Sequence, residues 1–489
     1  MKFSKTILII LLCCFVINLS MAQKVKVAQG TSISTAAIKQ GEAFNFMAGG
    51  DAYLIEKHFK DAEMHFYLTC VTPNLGVNFN NYLNIPGGVF GNTYGIDDVF
   101  ALGDKAYVTV EHLDKKAGMN SLTIRSLGFD GNIATEETPA MNITFEKIMN
   151  SGFNHASVSL DKNLLAIVGE TPFVKEQPAK FKIAMFDKTL KKTSEAEITM
   201  PGENTKNKEM KVLVANDGTV YLIKKTTTNK GEIALTIYQC NTSNVTDVKE
   251  YKIEMPAPNN VSSYTYAMNT NNEIIVGGTY YERRTLTVGD PKAMGIFYFT
   301  NTGKSTPTFK MSTLDTPAEN LKARKIIVNG NTVFLTTEQY KENRETPQPG
   351  APAFEYNYNY EHKNEYVIGM DAAGTKKFQL QLARDLTARN FDTHLYSGYY
   401  LCNGKLTVVY NDNTKKYIPN DTYFGMQLPV LVQITNDGLM QAPVVIKDES
   451  KLESGFMLFA NSGMQVSENT IIMLAGNARE MKPVSFVVE

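Results

Sequence analysis

The sequence predicts an all-β protein made of eight four-stranded antiparallel units closed into a ring, with seven units as the alternative. Three observations predict it. A short motif of strand, polar turn and strand returns along the chain, as "LGDKAYVTVE", "SLDKNLLAIV", "VANDGTVYLI", "NTNNEIIVGG", "IVNGNTVFLT" and "YLCNGKLTVV". A third strand ending in a second turn follows each one, as in "IRSLGFDGNI", "KIAMFDKTL" and "VQITNDGLM". The last unit is one strand short, and the segment "KVKVAQGTSIS" near the other end of the chain alternates as a strand should.

Each element has a local reason. Val, Ile, Leu and Tyr at period two suit a pleated surface with one or both faces covered. Asn, Asp and Gly cluster between strands because tight hairpins need positive φ or a side chain that bonds its own backbone. The second strands are anchored at Tyr53, Tyr107, Leu165, Tyr221, Ile274, Val333, Thr407 and Ile471, spaced 53–74 residues apart. A fixed four-strand unit recurring at about 40–60 residues is the mark of a radial repeat. No helical periodicity competes, and "EKIMNSGF" near Glu146 is at most a short helical turn. In the last unit "SGFMLFANSG", "ENTIIMLAGN" and "PVSFVVE" supply three strands. Residues 24–34 are therefore expected as its fourth, which removes an open sheet edge.

These repeats resemble those of β-propellers, over essentially all of residues 23–489, read as a single propeller domain. "HASVSLDKNLLAIVGE" is similar to the repeat of TolB-type propellers and "AYVTVE" to that of bacterial surface-layer propellers. The absence of tryptophan departs from WD motifs, from the Asp-box of sialidases and from the docking motif of quinone-dependent dehydrogenases. No family's catalytic residues are therefore carried over.

Residues 1–22 read as a signal peptide: Lys2 and Lys5, an apolar run from Ile7 to Ile17, then Ser20-Met21-Ala22. The run is too short for a comfortable membrane span. This leader is similar to those of exported Bacteroidota proteins, which implies a periplasmic or cell-surface location. Cys13 and Cys14 lie inside the run, but Leu12 precedes the first, where a lipidation site has Gly or Ala. Beyond the leader no transmembrane span is expected. Lysine plus arginine total 49 against 50 acidic residues, so no global field recruits nucleic acid. Cys70, Cys240 and Cys402 are too few and too scattered for a disulfide framework or a zinc site. No disulfide, metal or cofactor is expected, and the chain is read as a monomer.

The candidate chemistry is sparse. His58 and His112 each follow an anchor tyrosine by five residues, with His65 nearby, and read as ordinary surface histidines. There is no GxSxG. The longest insertions are consecutive: Thr279–Lys292, Thr337–Lys363 and Asn411–Gln427, in units five, six and seven. Long loops on a rigid scaffold are where recognition residues concentrate. They place Tyr280, Tyr281, Arg283, Arg284, Tyr356, Tyr358, Tyr360, Tyr417 and Tyr423 in one sector. The connection Ala383–Gly398 adds Arg384, Arg389, Asp392 and His394. Tyrosine and arginine suit binding of protein, peptide or glycan. Period-two spacing also allows the tyrosines of "FEYNYNYEH" simply to extend a hairpin, and 342–353 is expected to lie between strands. The sequence thus suggests a binding or scaffolding module, with a hydrolase or lyase acting on polysaccharide at the central opening as the alternative.

Overall fold

The computed structural model describes residues 24–34, 42–60, 63–85, 93–202, 204–205, 208–228, 231–283, 292–301, 306–345, 357–417, 427–446, 456–477 and 480–489. The leader reading, 1–22, lies outside them. The described chain is nearly all strand, and its strands fall into four-stranded antiparallel units that follow one another along the sequence. Eight such units can be traced, the fourth and fifth joined by one residue pair, Ile233 with Val261. All eight anchor residues lie on second strands. The fold is propeller-like.

Unit one runs Glu42–Ala48, Asp51–Lys60, Glu63–Val71 and Val77–Tyr82. Unit six runs Leu321–Asn329, Thr332–Arg344, Tyr358–Asp371 and Lys376–Arg389. Unit seven runs Gly398–Cys402, Lys405–Asn413, Gln427–Ile434 and Val444–Val445. Unit eight holds Met457–Gln465, Thr470–Gly476 and Glu480–Val488, and its outer strand is Val25–Gln29. Val25 pairs with Val488 and Gln29 with Val484, so the strand from the start of the chain completes the unit at its end.

Successive units meet through apolar faces. Ile55, Phe66 and Leu68 of unit one pack with Val99, Val108 and Val110 of unit two. The same holds across the join of the ring, where Leu54 and Val71 of unit one meet Phe459, Ile472 and Leu474 of unit eight. Two-sided burial explains why the central strands read as near-continuous apolar runs.

The recurring turns have a second use. Gly218, at φ +84°, closes the Asn216-Asp217-Gly218 hairpin, where Asp217 Oδ1 accepts the backbone N–H of Thr219 at 3.0 Å. A side chain would be strained there. The same turns also bond to one another between units. The Asp161 N–H donates to Asn216 Oδ1 at 3.2 Å, and the Asn216 N–H to Asn272 Oδ1 at 2.9 Å. Asn329 Nδ2 donates to the Gly404 carbonyl at 2.7 Å. Asparagine is thus favoured both by the turn and by the neighbouring turn it reaches.

Three details refine the sequence reading. "EKIMNSGF" contains one 3₁₀ turn, Ile148–Asn150. Cys70, Cys240 and Cys402 are buried and unbridged. The 342–353 stretch is not wholly between strands: Glu342, Asn343 and Arg344 pair with Tyr360, Asn359 and Tyr358. The sixth hairpin is longer than expected because the alternation of "YNYEH", from Tyr358 to His362, continues the ladder.

Candidate functional site

Unit six departs from the apolar pattern at one end, and a buried ionic network occupies the gap. Its first strand is irregular between Ala323 and Lys325, leaving Arg324 outside the ladder register. Such bulges re-aim a side chain. Thr336 on the next strand props this one by accepting the Lys325 N–H at 3.2 Å. The guanidinium of Arg324 turns to Glu338 on the second strand, donating from Nε to Oε2 at 2.8 Å. Its carbon lies 4.8 Å from the ring centres of both Tyr340 and Tyr396.

The network continues through the third and fourth strands. Glu338 Oε1 lies 2.7 Å from His362 Nδ1, and His362 Nε2 lies 3.1 Å from Asp392 Oδ2. Carboxylates on both ring nitrogens call for two N–H donors, the imidazolium form. Burial opposes that charge, but the bonds to Asp392 and Glu338 carry the His362 pKa above the usual histidine value. Burial likewise pushes Glu338 toward neutrality, and Arg324, His362 and Arg384 hold its carboxyl below the usual range.

Arg384 joins the second half. Its Nη1 donates to Ser397 Oγ at 2.8 Å and to Glu365 Oε2 at 3.2 Å, and its Nη2 to the Leu395 carbonyl. Ser397 Oγ and the Tyr399 hydroxyl both donate to Glu365. Burial raises the Glu365 carboxyl, only partly opposed by Arg384. The side chains of Glu338, Glu365, His362, Asp392 and Arg384 are at most 2% exposed, whereas Arg324 keeps 21%. Arg324 is where the network reaches the surface.

That surface is a cavity of about 750 Å³ lined by the first strands of units one, six, seven and eight. Asn45, Arg324, Lys325, Tyr396, Tyr399 and Asn461 supply its polar wall. Cross-unit bonds stiffen it: Asn45 Nδ2 donates to the Gly463 carbonyl at 2.8 Å, and the Leu401 N–H to Gln465 Oε1 at 2.9 Å. Lys325 is open to water yet ringed by protein, which lowers its pKa, and its Nζ donates to the Tyr399 carbonyl at 3.3 Å.

The structure distributes the sequence-derived sector. Arg384 and His394 lie at the network, His394 buried and stacked 5.6 Å from Phe391. Tyr417 is half-buried, and its hydroxyl donates to Asp412 Oδ2 at 2.8 Å. Tyr360 is buried, with Tyr358 stacked on it at 6.2 Å. Tyr280 is buried and Tyr281 half-buried. Arg283 is exposed and pairs with Glu232, while Arg389 pairs with Glu345 at 2.7 Å. Arg284, Tyr356 and Tyr423 lie outside the described residues. None of the ten described members, Asp392 of the network included, lines the cavity. Arg324, Glu338, His362, Glu365, Tyr396 and Tyr399 escaped the sequence reading as site residues. No local signal marks Glu338 or Glu365, because their sequence neighbours, Thr337 and Gln339, and Asn364 and Tyr366, are mostly polar.

Buried titratable groups, in the network and in other units, give stability a pH dependence with two limbs. Burial lowers His155 and His394 to about 4, so their contribution is present above about pH 6.5 and lost as pH falls through 4. Burial raises Asp97 to about 7 and Glu56 to about 8. These groups, with Glu365 and His362, contribute stability at low pH that is lost as pH rises through their folded values. Thermal stability should therefore peak on the acid side of neutrality and decline between about pH 6.5 and 8. In His362→Gln the decline should be shallower; melting curves across pH check this, and an unchanged slope would remove His362 as a contributor.

No model of a known protein family matches this chain, and no curated protein matches it. Solved structures do. The polysaccharide lyase Uly1 is 8% identical, with 92% of this chain and 91% of that one covered and a TM-score of 0.40. An oligogalacturonate lyase in complex with manganese is 11% identical, covering 92% and 99%, at 0.34. The WD40 domain of SCAP from fission yeast is 8% identical, covering 95% and 98%, at 0.41. Likenesses this distant say nothing about what the chain binds.

Proposed function

We propose that this protein is an exported binding module whose ligand, a polar glycan or peptide, enters the central cavity beside unit six. Export rests on the N-terminal segment. The observation that carries the binding reading is the cavity wall: aromatic rings, amides and two cations on a rigid scaffold, at a volume typical of small-ligand sites. The hydrolase or lyase reading would gain from two acids facing the cavity. Among the described lining residues Glu338 is the one acid, and it is nearly sealed and committed to Arg324 and His362.

The test uses ligands selected on the mature protein from glycan and peptide arrays. Lys325→Ala and Asn461→Ala should each weaken binding about tenfold, the loss of about 1.4 kcal/mol, with little change in melting temperature. Calorimetric titration reads both. Binding indifferent to both changes would put the ligand elsewhere, with Tyr358, Arg283 and Arg389 on the outer sector the next surface to test.

A further inference from the structure

Resting on that binding reading, we infer that the ligand is an acidic sugar, an oligosaccharide unit whose carboxylate sits against Arg324 and Lys325. Three observations converge on this class. The cavity has two cations and one acid, and that acid is spent inside the wall. Arg324 donates to Glu338 through Nε and pairs with it through Nη2 at 2.8 Å, leaving Nη1 without a partner among the described residues. Lys325 forms no ion pair among the described residues and gives only one of its three N–H groups to a carbonyl, that of Tyr399.

Two adjacent donors on neighbouring residues, one planar and one compact, suit a carboxylate with its two acceptor oxygens. Tyr340 and Tyr396 fix the guanidinium beforehand, so little side-chain entropy is lost when an anion arrives. Lys325 remains open to water, so its ammonium can reach a ligand without rearrangement of the wall.

The rest of the wall favours a sugar over a peptide carboxylate. Asn461 Oδ1 is buried without a partner. Asn461 lines the cavity, so this oxygen is an acceptor that a sugar hydroxyl beside the carboxylate can satisfy. The half-buried ring of Tyr396 gives an aromatic face at the cavity wall, which suits the apolar face of a pyranose. The volume has room for a short oligosaccharide.

The experiment titrates the mature protein by calorimetry with three probes. These are a set of uronic-acid trisaccharides, the same sugars with the carboxyl reduced to an alcohol, and a tripeptide with a free C-terminus. At least one uronate should bind, its reduced form at least tenfold more weakly. Lys325→Gln should remove most of that difference, and added salt should weaken only the acidic sugar. Equal binding of acid and reduced sugars, both weakened by Asn461→Ala, would overturn the carboxylate inference while leaving the cavity reading intact. A preference for the tripeptide would overturn the sugar class. Uronate binding unaffected by Lys325→Gln and Asn461→Ala would overturn both this inference and the cavity reading. No binding of any uronate at millimolar concentration would overturn the inference alone.

Discussion

A chain beginning at Gly41 is expected to melt earlier than one beginning at Gln23 and to aggregate on concentration. The segment it lacks pairs Val25 to Gln29 with Val484 to Val488, and Ile33 and Ser34 with Met481 and Glu480. Val25 and Val27 pack on the apolar cluster of Phe456, Leu458, Val484 and Phe486. Two more backbone bonds lie beyond the ladder, from the Gly30 N–H to the Pro483 carbonyl and from the Glu489 N–H to the Lys24 carbonyl. At about 1 kcal/mol net for each buried hydrogen bond, and about 1 kcal/mol for each half-buried valine, the loss is roughly 3–5 kcal/mol after the entropy of ordering the strand. The exposed edge of Glu480–Val488 would also offer unpaired N–H and C=O groups to a second molecule. Lys26, paired with Glu489 at the surface, contributes little by comparison. Thermal melts and light scattering of the two chains decide the matter. Equal melting temperatures and no added scattering would mean that ring closure does not depend on this strand.

Glu338→Gln is expected to cost about 3–5 kcal/mol, the usual penalty for removing one partner of a buried ion pair. The carboxylate meets Arg324, His362 and Arg384 at once, within a region at most 2% exposed apart from Arg324 itself. Glutamine keeps the shape and one acceptor oxygen, so the effect reports charge rather than a cavity. It would leave two guanidiniums and an imidazolium opposed by Glu365 and Asp392 alone. Urea unfolding monitored by tyrosine fluorescence gives the midpoint and the slope. A loss below about 1 kcal/mol would show that the cluster relaxes around the change or takes in water, contrary to a tightly satisfied network. Replacing the whole set with apolar residues of matched volume is a different experiment, since buried ion pairs are often no more stabilising than such packing.

How far the site was legible differs from residue to residue. Asp392, Arg384 and His394 were found because they crowd one connection, Ala383–Gly398, and proximity in sequence implies proximity in space. Tyr360 was found as part of a run of tyrosines, but its burial was not, because "YNYNYEH" alternates equally well as a strand or as a ligand-facing edge. Arg324 gave no signal. It lies one residue from Lys325 in "LKARKIIV", reads as an ordinary solvated charge, and becomes special only through the irregular register at that point. Glu338 and Glu365 are 27 residues apart in sequence, yet both contact Arg384.

The sequence by itself determined the strand alternation, the turn chemistry, the second-strand anchors and the strand that completes the last unit. These depend on neighbours within a few residues, where period two and the φ preference of Asn and Gly act directly. The tertiary structure alone decided which charges are buried, which pair, and where the cavity opens. Those outcomes depend on the register between strands and on the approach of units one, six, seven and eight around one opening. A carboxylate on a strand looks the same in sequence whether it meets water or an arginine 46 residues away, as Glu338 meets Arg384. Only the packed ring distinguishes the two, because it alone removes the water.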